Sequence, residues 1–382
     1  INAKNYKDNE YRQSWGWMCL PKNTWIMTDE GAKTVEDLVD TKFNALIDGN
    51  SYETSSKGFF VTSEEEPVYK IILESGYELE ATENHPVMTS EKWKRVDRLS
   101  VKDKVKIAFQ KVDQWEGTGG SFGEGYLLGS IWADGWISEK RAYVCLYGDE
   151  YNEDYAKTIE KYAEKLGCEC KFQTPTSKEE HRLASKVLYK ISSQYGFTNK
   201  SKRINKSIEK RSINFYKGFL SAAFDGDGTF PEYRKGSEGG QAILCQSNYE
   251  DIQAVQRMLS RLGIYSSIRK ASSTGYNSEK MSYTLAVASR SLDRFYEMID
   301  LHNPCKIEKL SKIIESRDTV NSFEKPYYSK VKSVTFDRMD KVYDVTIDEV
   351  HFFDANGIQV HNSNNSVAVK VGDDLSGIVD NI

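Results

Sequence analysis

The chain has 382 residues, more than one small module and enough for two or three domains. Its 52 Lys and Arg against 57 Asp and Glu give a net charge of -5, which excludes a uniformly basic nucleic-acid binder but leaves room for a local basic face. No stretch approaches the roughly 18 uninterrupted apolar residues of a membrane span, and the polar start from Ile1 to Tyr11 has no signal-peptide core, so a soluble, cytoplasmic chain with no membrane partner is expected. From Thr24 to Val39 the pattern predicts a short apolar strand (Trp25, Ile26, Met27), a turn at Asp29-Glu30-Gly31 and a brief helical segment from Val35 to Leu38. Strands then dominate: Val68 to Leu73 and Tyr77 to Ala81 alternate around Ser75-Gly76, and Val101 to Ile107 alternates again. After about Lys111 the texture changes. A Gly-rich connector, Gln114 to Gly125, leads into helical patterns such as Tyr151 to Leu166 and Ile252 to Leu262. A polar linker from Asp318 to Lys325 precedes a return of strands from Tyr328 to Val360, with Asn356-Gly357 as a hairpin signal. The simplest topology is one β domain interrupted by an inserted mixed domain.

The insertion carries a weak internal repeat, Leu127-Leu128-Gly129-Ser130-Ile131-Trp132-Ala133-Asp134-Gly135 and Leu220-Ser221-Ala222-Ala223-Phe224-Asp225-Gly226-Asp227-Gly228. Small side chains let two such helices approach closely, and the Asp-Gly endings bring two carboxylates together below the pair. Six cysteines are too few for a disulfide scaffold, and Cys168/Cys170 lacks the partners of a structural zinc site.

The five His are the sharper clue, because His85, His351 and His361 fall near the two ends. Cys19, in Met18-Cys19-Leu20-Pro21, is placed to attack its own preceding carbonyl. Far downstream, Val360-His361-Asn362-Ser363 sets an imidazole before an Asn whose side-chain amide can attack its own backbone carbonyl, with a hydroxyl nucleophile following. Thr82-Glu83-Asn84-His85 follows a predicted strand and offers a hydroxyl and an imidazole to stabilise an oxyanion and protonate a leaving amide. A lone Cys before a strand is usually a small buried hydrophobe, so the joint order of these groups carries the reading.

On these residues the chain resembles an intein, a self-splicing protein of the Hedgehog/intein fold, with an inserted LAGLIDADG homing endonuclease. The matching blocks are Cys19-Leu20-Pro21 through Val35-Glu36-Asp37-Leu38, Gly76 through Thr82-Glu83-Asn84-His85-Pro86, Val342-Tyr343-Asp344-Val345 through His351-Phe352-Phe353, and Gly357-Ile358-Gln359-Val360-His361-Asn362-Ser363. The resemblance implies a mostly-β splicing domain in two parts, 19–110 and 317–362, and an α+β endonuclease of two pseudo-symmetric αββαββα halves over 111–316. Residues 1–18 and 363–382 become host (extein) segments. It further implies cofactor-free acyl transfer: Cys19 as first nucleophile, His85 and Thr82 at the scissile peptide, Asp344 handling protons, Ser363 as second nucleophile, and Asn362 cyclising with His361 and His351.

For the insertion, the resemblance makes Asp134 and Asp227 the ligands of a divalent metal, Mg²⁺ being expected, and Lys202 and Lys306 the catalytic lysines. Trp132 replaces one of the motif's acids, matched by Asp225 in the second copy, and Asn205 replaces a usual Pro. Arg182 to Lys217 holds ten Lys and Arg against one acid, so Arg182, Lys186, Lys190, Lys200, Arg203 and Lys206 are expected to meet phosphates of double-stranded DNA. Over residues 111–310 there are 29 Lys and Arg against 26 Asp and Glu, so the insertion is basic although the chain is not. A monomer is expected. The alternative is a splicing unit whose endonuclease has decayed into a DNA-binding or structural insertion. The joined flanks, Gly16-Trp17-Met18-Ser363-Asn364-Asn365-Ser366-Val367, faintly resemble a segment of cobalamin-dependent ribonucleotide reductases, which suggests such a host.

Overall fold

The computed structural model describes residues 18–362 apart from 110–112, 149–150, 175–179, 232–239, 272–281, 317–324 and 348; of the expected host segments 1–18 and 363–382, all but Met18 lie outside, Ser363 among them. The chain begins with short strands, β1 (Leu20–Pro21), β2 (Trp25–Thr28), β3 (Gly31–Thr34) and β4 (Asn44–Ile47). It continues through the long β5 (Asn50–Leu73) to β6 (Glu78–Thr82), β7 (Pro86–Met88), β8 (Trp93–Arg95) and β9 (Lys104–Lys106). Helices and strands then alternate. One half comprises α1 (Phe122–Ala133), β10 (Trp136–Ile137), β11 (Ala142–Tyr147), α2 (Glu153–Lys165), β12 (Glu180–Ser185), α3 (Lys186–Gln194) and α4 (Lys206–Glu209). The other comprises α5 (Ile213–Gly226), β13 (Gly228–Thr229), β14 (Ala242–Gln246), α6 (Tyr249–Arg261), β15 (Ser266–Ala271), β16 (Ser282–Val287), α7 (Leu292–Met298) and α8 (Pro304–Glu315). Finally β17 (Tyr328–Ile347), β18 (Phe352–Ala355) and β19 (Ile358–His361) return to the first unit.

Early and late strands interleave. The main sheet runs β1-β17-β5-β4-β2-β18-β19-β7-β8, with β3 on β2, β6 on β5 and β9 on β17. Strands from after the insertion therefore lie between strands from before it, which brings both ends of the unit into one sheet. The β18–β19 hairpin turns at Asn356 and Gly357, whose φ values of 53° and 80° suit a two-residue turn matching the strand twist. Asn356 fastens that turn to β2, its Oδ1 accepting from Trp25 N at 2.8 Å and its N–H donating to Trp25 O at 3.0 Å.

The fold class is the one expected, a mostly-β unit interrupted by an α+β unit. The second half of the insertion has the full helix-strand-strand-helix-strand-strand-helix order, with its sheet ordered β13-β14-β16-β15. Among the described residues the first half has three strands, β10-β11-β12, and the place of a fourth is marked by a single bridge between Gln173 and Arg182.

The halves meet through α1 and α5, and glycine decides how closely. A Cβ on Gly218 would lie 2.0 Å from Phe122 O, and one on Gly125 would lie 2.1 Å from Phe215 O, so the two backbones touch. Ser121 and Ser212 start these helices by accepting from Glu124 N and Phe215 N. Trp25, Met27, Ala32 and Leu46 of the β unit join the apolar core of the insertion rather than their own. Around them Arg261 lies over the Trp25 ring at 4.8 Å, Gln256 Nε2 donates to Ser75 O at 2.9 Å, and Lys210 pairs with Asp37 at 2.7 Å. Gly218→Ala is expected to destabilise the insertion by about 1–3 kcal/mol, because an added methyl at a backbone contact cannot be absorbed by a side-chain shift. A thermal melt should show a midpoint lowered by several degrees.

Candidate functional site

Cys19 and Met18 are both buried, at the start of β1 where it pairs with β17. Thr82, the last residue of β6, brackets Cys19: its Oγ1 accepts from Cys19 N at 3.1 Å, and its N–H donates to Cys19 O at 3.1 Å. Thr82 Oγ1 in turn donates to Asn84 Oδ1 at 2.8 Å, which fixes its rotamer. A tight turn of main chain follows from this anchor, because His85 N donates to Thr82 O and delivers the imidazole into the interior. His85 is fully buried and its two ring nitrogens make no hydrogen bond, although the ring lies against the main chain of Cys19 and Met18. Burial, with a smaller push from His361, lowers its pKa to about 3 against the pull of those main-chain atoms.

Asp344, on β17, is buried and its Oδ1 accepts from Val345 N at 2.7 Å. Its charge reaches Cys19: burial first, then Asp344, push the thiol well above its ordinary pKa. Cys19 is thus held as a thiol in the resting site.

The downstream junction arrives from the other side. His361 ends β19, and its Nδ1 lies 2.6 Å from Asn362 O, the carbonyl that Asn362 would attack. The His361 ring packs edge-on against Trp93 at 5.0 Å and stacks 6.1 Å from His351. Burial lowers the His361 pKa to about 4, partly opposed by the contact with Asn362 O. Asn362 is fully buried, its N–H donating to His351 O at 3.2 Å and its Nδ2 to Ile347 O at 3.4 Å. The structure thus brings Cys19, Thr82, His85, Asp344, His351, His361 and Asn362 into one buried site, in which His85 and His361 interact electrostatically.

In the insertion, Asp134 and Asp227 occupy the same position, the C-cap of α1 and of α5. Asp134 reaches the residue before Asp227, since a Cβ on Gly226 would lie 2.4 Å from Asp134 Oδ2, and both acids act on Lys202. Lys202 Nζ donates to Ile131 O at 2.9 Å and to Gly135 O, and Lys306 Nζ donates to Gly226 O, so each lysine closes the end of one motif helix. Burial lowers the Lys202 pKa, against the pull of both Asp134 and Asp227. Gln246 Nε2 donates to Asp227 Oδ2 at 2.6 Å. Among the described residues no third His, Cys, Asp or Glu joins them in a metal-binding group. Two carboxylates at the ends of paired helices are nonetheless a donor set that suits Mg²⁺, which keeps much of its hydration.

The departure at Trp132 has a structural answer. In the second half Asp225 accepts from His302 N at 2.8 Å, Asn303 N at 3.0 Å and Tyr126 OH at 2.6 Å, tying down the start of the helix that carries Lys306. In the first half Asp251 of α6 does the equivalent work, accepting from Ile204 N at 2.9 Å, from Arg203 Nε at 3.1 Å and from the Trp132 side chain beside Lys202.

The basic run divides. Lys186, Lys190 and Lys200 are exposed, and Arg182 pairs with Glu180 at 2.6 Å while lying 5.8 Å over the Trp136 ring. Arg203 and Lys206 also lie at the surface and carry protein partners there: Arg203 pairs with Glu250 and Asp251, and Lys206 reaches Asn23 and Glu36 of the β unit. Glu209, the one acid in the run, is buried; burial opposes its charge, but Arg257 and Arg261 prevail and hold its pKa down. Sequence reading missed Thr62, whose Oγ1 lies 2.9 Å from Cys19 Sγ, and Trp93; neither belongs to a matched block.

A family model, "Intein splicing domain", matches residues 25–362, and the chain belongs to that family. Ribonucleoside-diphosphate reductase NrdEB subunit alpha of Bacillus subtilis (strain 168) is 22% identical over 397 residues, covering 90% of this chain and 36% of that protein. ATP-dependent DNA helicase Hel308 of Methanocaldococcus jannaschii is 24% identical over 327 residues, covering 79% and 26%. The chain therefore spans about a third or less of the length of these relatives. Among solved structures, a DnaB intein from Synechocystis sp. PCC 6803 aligns over 91% of this chain and 99% of its own at 11% identity and a TM-score of 0.31. Mesophilic variants of the homing endonuclease I-DmoI align over 48% of this chain and 93% of theirs at 18% identity and a TM-score of 0.35. No helix among the described residues is long and apolar enough to cross a membrane.

His85 and His361 are both neutral at pH 7 in the folded chain and return to the ordinary value of 6.5 on unfolding. The unfolded state then binds more protons below that value, so stability is present above pH 6.5 and falls on acidification. Melting midpoints should drop between pH 6.5 and pH 5, and His85→Gln with His361→Gln should flatten that slope.

Proposed function

We propose that this chain is a self-splicing precursor whose insertion is a site-specific endonuclease that cuts double-stranded DNA. The observation that carries the splicing reading is the burial of Cys19 and the His361-Asn362 pair in one histidine-lined site. In the first step Cys19 Sγ attacks the Met18 carbonyl carbon, the S–C bond forms and the Met18–Cys19 C–N bond breaks. The thiol proton leaves sulfur and ends on the Cys19 amine, so no external reagent is needed. Thr82, holding Cys19 by both N–H and carbonyl, positions the peptide, and His85 faces the departing nitrogen. Asp344 receives and returns protons. Ser363 Oγ then displaces the Cys19 sulfur from the Met18 acyl group, making an ester and regenerating the thiol. Next, Asn362 Nδ2 attacks its own carbonyl carbon, polarised by His361 Nδ1, and the bond to Ser363 breaks, freeing the Ser363 amine. That amine takes the acyl group from its own oxygen, leaving an amide between Met18 and Ser363. Because His361 and His85 are neutral at pH 7, they act as hydrogen-bonding and proton-relay groups without a standing charge.

For the insertion, Asp134 and Asp227 would hold Mg²⁺, which when bound supplies Lewis-acid stabilisation to a scissile phosphate. Lys202 and Lys306, buried against the helix ends, set positive charge beside both acids, and Lys186, Lys190, Lys200 and Arg182 offer cations to the DNA backbone. A decayed endonuclease is the second reading; the retention of both acids and both lysines favours activity. The host is proposed to be a ribonucleotide reductase, in line with the flanking residues and the reductase relative.

Incubated under reducing conditions, the purified precursor should give by intact mass an excised 19–362 fragment and a ligated 38-residue peptide, the sum of the 18 and 20 flanking residues. Cys19→Ala with Asn362→Ala should abolish both, and persistent precursor from the parent chain would refute the splicing reading. DNA carrying the uninterrupted host junction should be cut on both strands with Mg²⁺ and left intact by Asp134→Ala with Asp227→Ala. Absence of cutting by the parent chain would instead establish the decayed form.

A further inference from the structure

The environment of the Cys19 sulfur holds a hydroxyl that belongs to no splicing block. In the β5–β17 ribbon, Ser63 pairs with Val342 and Val61 pairs with Tyr343, so β5 advances two residues while β17 advances one. Thr62 is the extra residue, a β-bulge. Such bulges re-aim a side chain that regular pairing would leave in the ladder. Here Thr62 Oγ1 lies 3.1 Å from Val342 O and 2.9 Å from Cys19 Sγ, and Cys19 packs with Val342 and Val68. A hydroxyl has one proton and two lone pairs. With that proton given to Val342 O, the lone pair facing Cys19 accepts the thiol S–H.

We propose that Thr62 is a catalytic residue of the first acyl shift, its hydroxyl holding the Cys19 thiol and turning to donate to the sulfur as the thiol proton leaves. The proposal rests on the splicing reading above and adds a residue to it. The step stays balanced: the thiol proton goes to the Cys19 nitrogen, and Thr62 keeps its own proton, exchanging a bond to Val342 O for one to the thiolate. The need is electrostatic. The groups around the sulfur include the carboxylates of Asp344 on β17 and Glu66 on β5, both of which disfavour a thiolate, and the uncharged imidazole of His85 after β6; the Thr62 hydrogen bond opposes the two acids. Thr82 is engaged on the main-chain side of Cys19, its hydroxyl accepting from Cys19 N and donating to Asn84 Oδ1, whereas Thr62 Oγ1 lies against the sulfur itself.

The test uses the full chain with Asn362→Ala and Ser363→Ala, so that only the first step remains, read as the rate of N-terminal release by dithiothreitol across pH. Hydrogen bonds to charged groups predict that Thr62→Val, which keeps the shape and loses the hydroxyl, slows release about 10- to 100-fold. Its pH profile should move to higher pH, and Thr62→Ser should return release close to the parental rate. In a separate Cys19→Ala background that retains Asn362 and Ser363, cleavage at Asn362 should proceed at the same rate with and without Thr62→Val, which shows that the downstream site is folded. Release from Thr62→Val at the parental rate and pH profile would overturn the proposal while leaving splicing intact. Equal losses at both junctions, unrescued by Thr62→Ser, would also overturn it by reducing Thr62 to a packing residue. No thiol-dependent release even with Thr62 present would overturn the splicing reading, and this proposal with it.

Discussion

Burial of uncharged imidazoles between the two ends of the β unit is the constraint on which the rest of this structure depends. His85 comes from the turn after β6 and His361 from the end of β19, and each is kept neutral by the absence of water around it. Exposed to solvent, both would titrate near neutral pH, and the Asn362 carbonyl would lose the environment that makes a 2.6 Å contact to His361 effective. Such a site requires that strands from the two ends of the unit interleave in one sheet. Simple juxtaposition of two separately folded halves would leave the seam between them wet.

The resting site is restrained as well as assembled. A thiol pushed up by burial and by Asp344 is a poor spontaneous nucleophile, so the resting site does not favour attack on the peptide before it. The main-chain bracket around Cys19 from Thr82 costs little entropy, since β6 and β1 are already fixed by β5 and β17.

Much of this was legible in the sequence because chemistry and turns leave local marks. The Asn356-Gly357 hairpin, the helical segment Val35–Leu38 and the two motif helices all appear where the pattern puts them. The long β5 was legible only at its end. Its middle, Thr62-Ser63-Glu64-Glu65-Glu66-Pro67, carries no strand alternation because an exposed two-stranded ribbon has no buried face to impose it. Thr62 was hidden for the same reason, since a bulge depends on how two strands 280 residues apart are registered. The partners of Arg203 and Lys206 were equally illegible: a basic run announces charge, while its counter-charges, Glu250, Asp251 and Glu36, come from distant segments. The replacement at Trp132 reads as a defect in one motif copy and becomes intelligible only once α6 supplies Asp251.

The apolar residues Trp25, Met27, Ala32 and Leu46 have a consequence for how such a chain can change over generations. They are covered by the insertion, and Arg261 and Gln256 complete the seal. Point changes at Asp134 or Asp227 alter the proposed metal site and leave that cover in place. Loss of the whole inserted segment strips it, laying bare an aromatic and aliphatic strip on the sheet that carries the splice junctions. The insertion is thus more easily altered at its two acids than discarded, and a lineage that keeps the β unit inherits selection for the shape of the insertion whatever the insertion does.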